Sequence, residues 1–550
     1  MLKEVVIESL KSIGIEANEQ QIEEPKPEMG DLAFPCFNLA KERRQNPHNI
    51  ASEIVEKMEK KADELIIKIE AVSGYVNFFF DWKKIAGKIL KEILLKKGAY
   101  GRVKRKSIAL VEYSSPNPAH PIHIGSGRTT FIGESLSRII ESSGYKVKRL
   151  CYINDLGKQV AKLVYGYKKF AEGKIPDKKP DHWLLDIYVK INELLSEKPQ
   201  LESEVDELLN ECESGDKKTF KIFNKIVKWC LKGFEQTYER IGVHFDEYIY
   251  ESRFIADSKK FINQLIKKKL VFESEGALII DLQKYGLPGT VIMRSTGTGL
   301  YLTRDILGTI YRLKKYKPEL NVYVVAEDQK LHFNQLFKIL ELAGYEDYSK
   351  KSIHLSFGYV GLPEGKMSSR LGRVVLIDDV LDEAKKRTKE KYSTDDEIAE
   401  SVGKSAVIYS ILKIDPNKQV IFKWDEVLSL EGDTGPYIQY AHTRCASILK
   451  KIRKWKKNFK SKLNGHEINL VKILIKFPDV VSNAARDLRP HYVCNYAFEL
   501  ATAFNNFYQF CPVLKVEKNQ RDFRLTLVAA TKQVLSNALN LLGIEALEKM

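Results

Sequence analysis

VEYSSPNPAHPIHIGSGRTTFIG, residues 111–133, decides the reading of this chain. The apolar run Ile108-Ala-Leu-Val111 reads as a buried strand. A turn rich in Pro and Asn follows, and the spacing predicts a helix starting near Gly125. His123 and Gly125 therefore fall where a strand hands over to a helix N-terminus. Such an end offers unpaired backbone N–H groups and the positive pole of the helix dipole, which together favour an anion such as phosphate. Gly125 allows a flat ring or a phosphate to approach the backbone, and His123 can donate to a phosphate oxygen. A nucleotide site at the opening of an α/β sheet is the expectation.

Working outward, 550 residues are too many for one core and predict three or four domains. The start, MLKEVVIESLKSIG, reads as an amphipathic helix with acids in it rather than a secretory signal. No apolar run approaches the ~18–20 residues of a membrane span. The seven cysteines are scattered and form no CxxC pair, so neither a disulfide framework nor a protein-held metal is expected. A formal charge of +16 points to a polyanionic partner, or else to a lysine-rich composition.

Three regions are expected. Residues 1–103 read as an α+β domain, with helical patterns at 2–13 and 49–60 and strands at 66–72 and 75–80. Phe78, Phe79 and Phe80 are consecutive and cannot share one face of a strand. Both faces are covered, or one ring is offered to a partner. Residues 104–394 alternate strand and helix like a Rossmann-type doubly wound parallel sheet. Its strand candidates are 108–112, 146–153, 278–281 and 322–325, and a charged helical insertion spans about 160–275. Residues 395–550 read as all-helical. Within them KKIRKWKKNFKSK, residues 450–462, carries eight basic residues, two aromatics and no acid. It suits a nucleic-acid backbone with unstacked bases, or it is a solvated helix face.

SSPNPAHPIHIGS, residues 114–126, resembles the HIGH signature of class I aminoacyl-tRNA synthetases. GKMSSRLGRVV, residues 365–375, resembles their KMSKS loop, here placed at 365–373, in the form seen in arginyl-tRNA synthetases. GDLAFPCFNLAK (30–41), GYVNFFF (74–80), NDLGKQV (154–160), RIGVHFDEYIYES (240–252) and GLYLTRDI (299–306) are similar to that family in particular. So are EGDTGPYIQYAHTR (431–444), AFNNFYQFCPVL (503–514) and the ending LLGIEALEKM. A lone HIGH-like string is weak; an ordered set across the whole chain is not.

The resemblance implies that arginine and ATP give arginyl-adenylate and pyrophosphate, after which the arginyl group passes to the terminal adenosine of tRNA(Arg). ATP would enter with Mg2+ as a substrate complex, and no tightly bound cofactor is implied. His123, Gly125, Ser126, Lys366, Ser368 and Arg370 would be catalytic. His120, Met367, His332 and Gln335 would join His123, Gly125 and Ser126 around ATP. Glu112, Ser114, Asn117, Tyr301 and Asp305 would bind arginine; a planar guanidinium with five donors needs carboxylates at fork spacing and a ring to stack on. Asn77 and Phe79 would touch the tRNA elbow through the N-terminal domain. Tyr437, Tyr440, Arg444, Tyr508 and Met550 would meet the anticodon region through the C-terminal domain, where rings stack on splayed bases. A cytoplasmic monomer with no membrane partner is implied.

The chain departs from the pattern in places. Ser126 replaces the second signature histidine, His120 the lysine usual three residues before the first signature histidine His123, and Ser369 the second lysine of the later signature. Each change removes a cation near the triphosphate, for which His120, Arg128 and Arg370 are the candidates to compensate. Three rival readings compete with this one. A nicotinamide-dependent oxidoreductase would use Gly125-x-Gly127, but Thr130 stands where the third glycine belongs. A non-catalytic tRNA-binding relative has no use for an arginine pocket. A class I synthetase for a neutral amino acid would not want two carboxylates there.

Overall fold

Ile108–Glu112 forms the centre of a five-stranded parallel sheet, because its apolar side chains are covered on both faces. The strand order is Ser352–Phe357, Leu320–Ala326, Ile108–Glu112, Lys146–Ile153, Glu247–Tyr250, with every neighbouring pair parallel. Sequence order runs outward one way from Ile108–Glu112, then reverses at Leu320–Ala326. This is the doubly wound topology, and its switch point opens a crevice at the carboxyl ends of those two strands. Glu112 lies there, in register with Tyr323 on one side and Leu150 on the other.

The structure is a computed structural model describing residues 2–58, 63–293, 301–361, 375–452 and 454–550. The chain divides into two compact units. One comprises 101–443, 478–498 and 535–550 and holds the parallel sheet; the other comprises 1–100, 444–477 and 499–534.

Two expectations about the sheet change. The insertion of helices Lys158–Phe170, Pro180–Glu197, Glu202–Ser214 and Lys217–Ile241 ends before 275, because Glu247–Tyr250 returns to the sheet as its edge strand. Ala277–Ile280, which overlaps the expected strand 278–281, belongs instead to a small antiparallel sheet with Val271–Ser274 and Thr290–Met293. Most of its side chains are only half-buried, which suits a sheet covered on one face.

In the other unit, Tyr75–Phe80 is the middle of a three-stranded antiparallel sheet between Leu32–Pro35 and Ile66–Val72. Phe78 and Phe80 are buried, while Phe79 is half-buried beneath Lys68, whose Nζ lies 5.0 Å from the ring centre. Helices Leu2–Lys11 and Pro47–Met58 correspond to the two periodic stretches.

The C-terminal third is helical, from Ile377–Tyr392 and Asp396–Leu412 to Gly435–Lys450, Gly465–Asp487, His491–Phe510 and Lys518–Leu541. The last four helices each have residues in both units. The basic run is not the helix face weighed above: after Lys450 the described residues up to Asn464 are non-helical. Asn458 N–H donates to Thr526 Oγ1 at 3.0 Å, and its amide bonds Asn519, so side-chain bonds replace a helical ladder.

Candidate functional site

Past Glu112 the backbone turns through Ser114 and Ser115, both at positive φ (67° and 43°). Hydrogen bonds hold this unfavourable conformation. Thr129 Oγ1 accepts from Ser114 N–H at 3.3 Å, and Thr130 Oγ1 donates to Ser114 Oγ at 2.8 Å. Ser114 Oγ also lies 2.7 Å from the Tyr238 hydroxyl, and Ser115 Oγ accepts from Tyr152 N–H at 3.1 Å. The Ser114 hydroxyl, expected on arginine, is thus engaged inside the chain. Asn117 differs: its Oδ1 is buried with no hydrogen-bond partner among the described residues, an acceptor in want of a donor.

His123 is the N-cap of helix Ile124–Ser142. Its Nδ1 accepts from Ser126 N–H at 3.2 Å, which leaves the ring proton on Nε2, 3.2 Å from Ser126 Oγ. The ring lies against Gly125, where an added Cβ would stand 2.9 Å from His123 Cε1 and Nδ1. Burial, with a smaller contribution from His120, pulls the His123 pKa down to about 4. The imidazole is therefore neutral at neutral pH, and it brings hydrogen bonds rather than charge to an anion. His120 sits beside it, ring centres 5.8 Å apart.

Arg128 corrects an expectation. Its side chain is fully buried. It donates to the carbonyls of Gly358, Tyr359, Pro416 and Lys418, the latter three at 3.0, 3.1 and 2.7 Å. It is a clamp on backbone, not a spare cation for phosphates. Burial pushes its pKa down to about 10. One turn earlier, Ile124 N–H donates to Val375 O and Ile377 N–H to Ile122 O, each at 3.0 Å. Lys366, Met367, Ser368 and Arg370, with Ser369, lie outside the described residues.

The carboxylates expected on arginine meet basic groups of the chain. Glu112 is 6% exposed and pairs through Oε2 with Arg312, whose side chain is buried. Burial raises the Glu112 pKa, Arg312 opposes the rise and Asp305 adds to it. Asp305 Oδ2 lies 2.8 Å from His332 Nε2. His332, expected on adenosine, thus faces the arginine candidate. Gln335, expected there too, is buried and donates through Nε2 to Pro288 O at 3.0 Å. Tyr301 is 45% exposed. Its hydroxyl lies over Gly157, at φ +106°, where any Cβ would stand 2.8 Å from that oxygen.

Sequence reasoning passed over the acid–base network behind these groups. Arg304 donates to Glu251 and to Glu213, both at 2.8 Å. Asp155 accepts from Ser252 N–H at 2.9 Å and Oγ at 2.5 Å. Burial pushes the Glu251 pKa up to about 8 against the pull of Arg304. The signal was the recurrence of acids in NDLG and YIYES, which composition alone cannot pair.

The residues expected on tRNA fall into two groups. Tyr440 and Met550 line one cavity of about 430 Å3 with Tyr392, Asp395 and Lys549. Tyr437 lies in the same unit, its ring centre 5.7 Å from that of Phe498. In the other unit, Arg444 sits over the Tyr508 ring at 5.2 Å and donates to Asn505 at 2.9 Å, and Tyr508 is 41% exposed. Asn77 is only 2% exposed, because its strand is central. A side chain so covered is not presented to a partner; Phe79 beside it is the more open.

Comparison with known proteins covers the whole chain. Residues 89–424 match the family described as tRNA synthetases class I (R), catalytic domain. Residues 438–550 match the DALR anticodon binding domain, and 1–80 the arginyl tRNA synthetase N terminal domain. An arginine–tRNA ligase of Clostridioides difficile is 38% identical over 99% of this chain and 98% of its own length. One of Methanocaldococcus jannaschii is 38% identical over 100% of this chain and 98% of its own. The arginyl-tRNA synthetase of Thermus thermophilus superposes with a TM-score of 0.84 at 29% identity, covering 100% of this chain and 99% of that one.

Proposed function

The chain belongs to the arginine branch of the class I tRNA synthetases, and from that premise we propose how its residues share the work. The reaction is the ATP-dependent joining of arginine to tRNA. Arginine carboxylate attacks the α-phosphorus of ATP, the bond to pyrophosphate breaks, and arginyl-adenylate forms. A hydroxyl of the terminal adenosine of tRNA(Arg) then attacks the arginyl carbonyl and releases AMP. The chemistry needs positioning and charge stabilisation rather than a protein nucleophile.

In this reading Glu112 and Asp305 compensate the guanidinium, Tyr301 flanks it, and Asn117 Oδ1 takes one of the substrate's donors. The start of helix Ile124–Ser142 receives the phosphates through its dipole and the Gly125 N–H, since the Ile124 and Ser126 N–H groups are engaged by Val375 O and His123 Nδ1, with the His123 and Ser126 side chains as neutral donors. Lys366, Ser368 and Arg370 are assigned to pyrophosphate and Met367 to ATP on sequence grounds alone, and Mg2+ enters with ATP. His332 serves Asp305 rather than adenosine. Tyr437, Tyr440, Arg444, Tyr508 and Met550 face the anticodon region, and Phe79 the elbow. We assign 1–103, 104–394 and 395–550 to elbow binding, catalysis and anticodon binding, in a cytoplasmic monomer. No helix among the described residues is long and apolar enough to cross a membrane.

The observation that carries this reading is that buried Glu112, at the switch point of the sheet, pairs with Arg312 and also feels the charge of Asp305, so two carboxylates share one arginine and the site can take a second cation. Aminoacylation of total tRNA with labelled arginine, ATP and Mg2+, with lysine and other amino acids in parallel, tests it. Arginine-only charging is expected. Tight, salt-sensitive tRNA binding without charging would favour a non-catalytic relative instead.

A further inference from the structure

The guanidinium group is already present in the proposed arginine site as part of the chain. Arg312 is 1% exposed and pairs with Glu112 Oε2. Its position is fixed from three sides. The guanidinium lies over the Tyr323 ring at 5.0 Å, and its Nε donates to its own helix at Gly308 O, 3.2 Å away. Tyr323 is itself held by Thr309, hydroxyl to hydroxyl at 2.6 Å. With that packing Arg312 cannot swing out to let a substrate replace it.

We infer that Arg312 is a positioning residue for arginine recognition: it holds the Glu112 carboxylate ionised and oriented, Oε2 bound to the protein and Oε1 left for the substrate. This rests on the reading of Glu112 as an arginine contact. The reasoning is electrostatic. Glu112 is walled by strands on both sides, with Tyr323 on one neighbour and Cys151 and Tyr152 on the other, and by Asp305 and Arg312 on helix Tyr301–Tyr316. Burial and Asp305 both favour its neutral form, and Arg312 is the cation that opposes them. A neutral carboxyl group would offer an arginine substrate a poor acceptor and no charge. The same cation would otherwise serve only to fill the core, and the two roles differ in what pH does to them.

The test measures KM for arginine and for ATP across about pH 6 to about pH 9 in the wild type and in Arg312→Met, Arg312→Lys and Glu112→Gln. In Arg312→Met the Glu112 carboxyl loses its cation, so fewer molecules are ionised at low pH. The arginine KM is expected to rise about tenfold or more near the acid end and to recover as pH rises, with the ATP KM little changed. Arg312→Lys keeps the charge but loses the planar stack on Tyr323 and the Nε bond to Gly308, so its arginine KM is expected to rise by less than about tenfold, with no added pH dependence. Glu112→Gln is expected to raise the arginine KM at every pH. If Arg312→Met does not accumulate folded, the lysine variant decides: a rise of more than about tenfold, equal at all pH, overturns the inference. An Arg312→Met KM that is raised but flat with pH overturns it too, leaving a packing role. Those outcomes differ from an unchanged arginine KM in Glu112→Gln, which overturns the reading of Glu112 itself.

Discussion

Asp305 and His332 are bonded to one another, Oδ2 to Nε2 at 2.8 Å, although their sequence contexts point to different substrates. Asp305 sits on helix Tyr301–Tyr316 and His332 on Lys330–Leu342. The bond ties the expected guanidinium partner to the helix that follows the Leu320–Ala326 strand. Replacing His332 by Ala frees the carboxylate to rotate. The arginine KM is expected to rise by about three- to tenfold, the loss of one hydrogen bond that orients a charge. Steady-state pyrophosphate exchange at varied arginine and varied ATP distinguishes the readings: a change confined to the ATP KM would restore His332 to adenosine.

Asp305→Asn keeps the size and one acceptor of the side chain but removes its charge. The arginine KM should rise about tenfold or more, since hydrogen bonds to a charged group contribute ~1–1.5 kcal/mol beyond neutral ones. kcat should change less than KM. An unaltered arginine KM, measured by exchange at saturating ATP, would remove Asp305 from the pocket.

Gly157 lies beneath the Tyr301 hydroxyl. Its φ of +106° disfavours any L side chain, and a Cβ there would stand 2.8 Å from the Tyr301 hydroxyl. Gly157→Ala is expected to strain the backbone by ~1–2 kcal/mol and to push the Tyr301 ring aside. The arginine KM should rise while the ATP KM holds. A variant that only lowers thermal stability would show that Tyr301 reaches the substrate from another rotamer.

How far the sequence reached depends on whether a signal is local. The strand Ile108–Glu112 and the helix behind it were legible because the apolar run, the Pro/Asn turn and the glycine lie within two dozen residues of each other. Glu247–Tyr250 was not: four residues with a glutamate and two tyrosines carry no buried-strand pattern, and only edge position in the sheet makes them a strand. The basic run at 450–462 has helical composition, yet bonds from Asn458 to Thr526 and Asn519, distant in sequence, fix it as a non-helical strap. In the site, Glu112 and Asp305 were singled out by the family resemblance, with the chemistry of a guanidinium beside it. Arg312 was not singled out, although it stands seven residues from Asp305 and so shares its face of the helix. Arg128 was misread because a buried arginine bonded to carbonyls instead of a carboxylate leaves no charge pattern to find.

Arg128→Met leaves four peptide carbonyls at Gly358, Tyr359, Pro416 and Lys418 short of a donor. A loss of about 3 kcal/mol or more in unfolding free energy is expected, seen as a lower denaturation midpoint. Arg128→Lys can satisfy only some of those carbonyls and should fall between. Full stability in Arg128→Met would mean that water or a shifted backbone replaces the clamp.

His123 supplies the pH prediction. Its pKa in the folded chain is about 4, against the ordinary 6.5, chiefly because it is buried. The unfolded chain therefore binds a proton at this residue, and the folded chain does not, between those two values. The contribution of His123 to stability is present in full above pH 6.5 and is lost as pH falls toward 4. His123→Gln, which cannot charge, should lose less stability than wild type over that same window. The ring signals of a histidine-labelled sample give a second check, with His123 expected to stay neutral through pH 6.5 in the free protein. Titration of His123 near the ordinary value would show that its ring stands in water rather than against Gly125, and the neutral-donor role assigned to it at the phosphates would fall with that geometry.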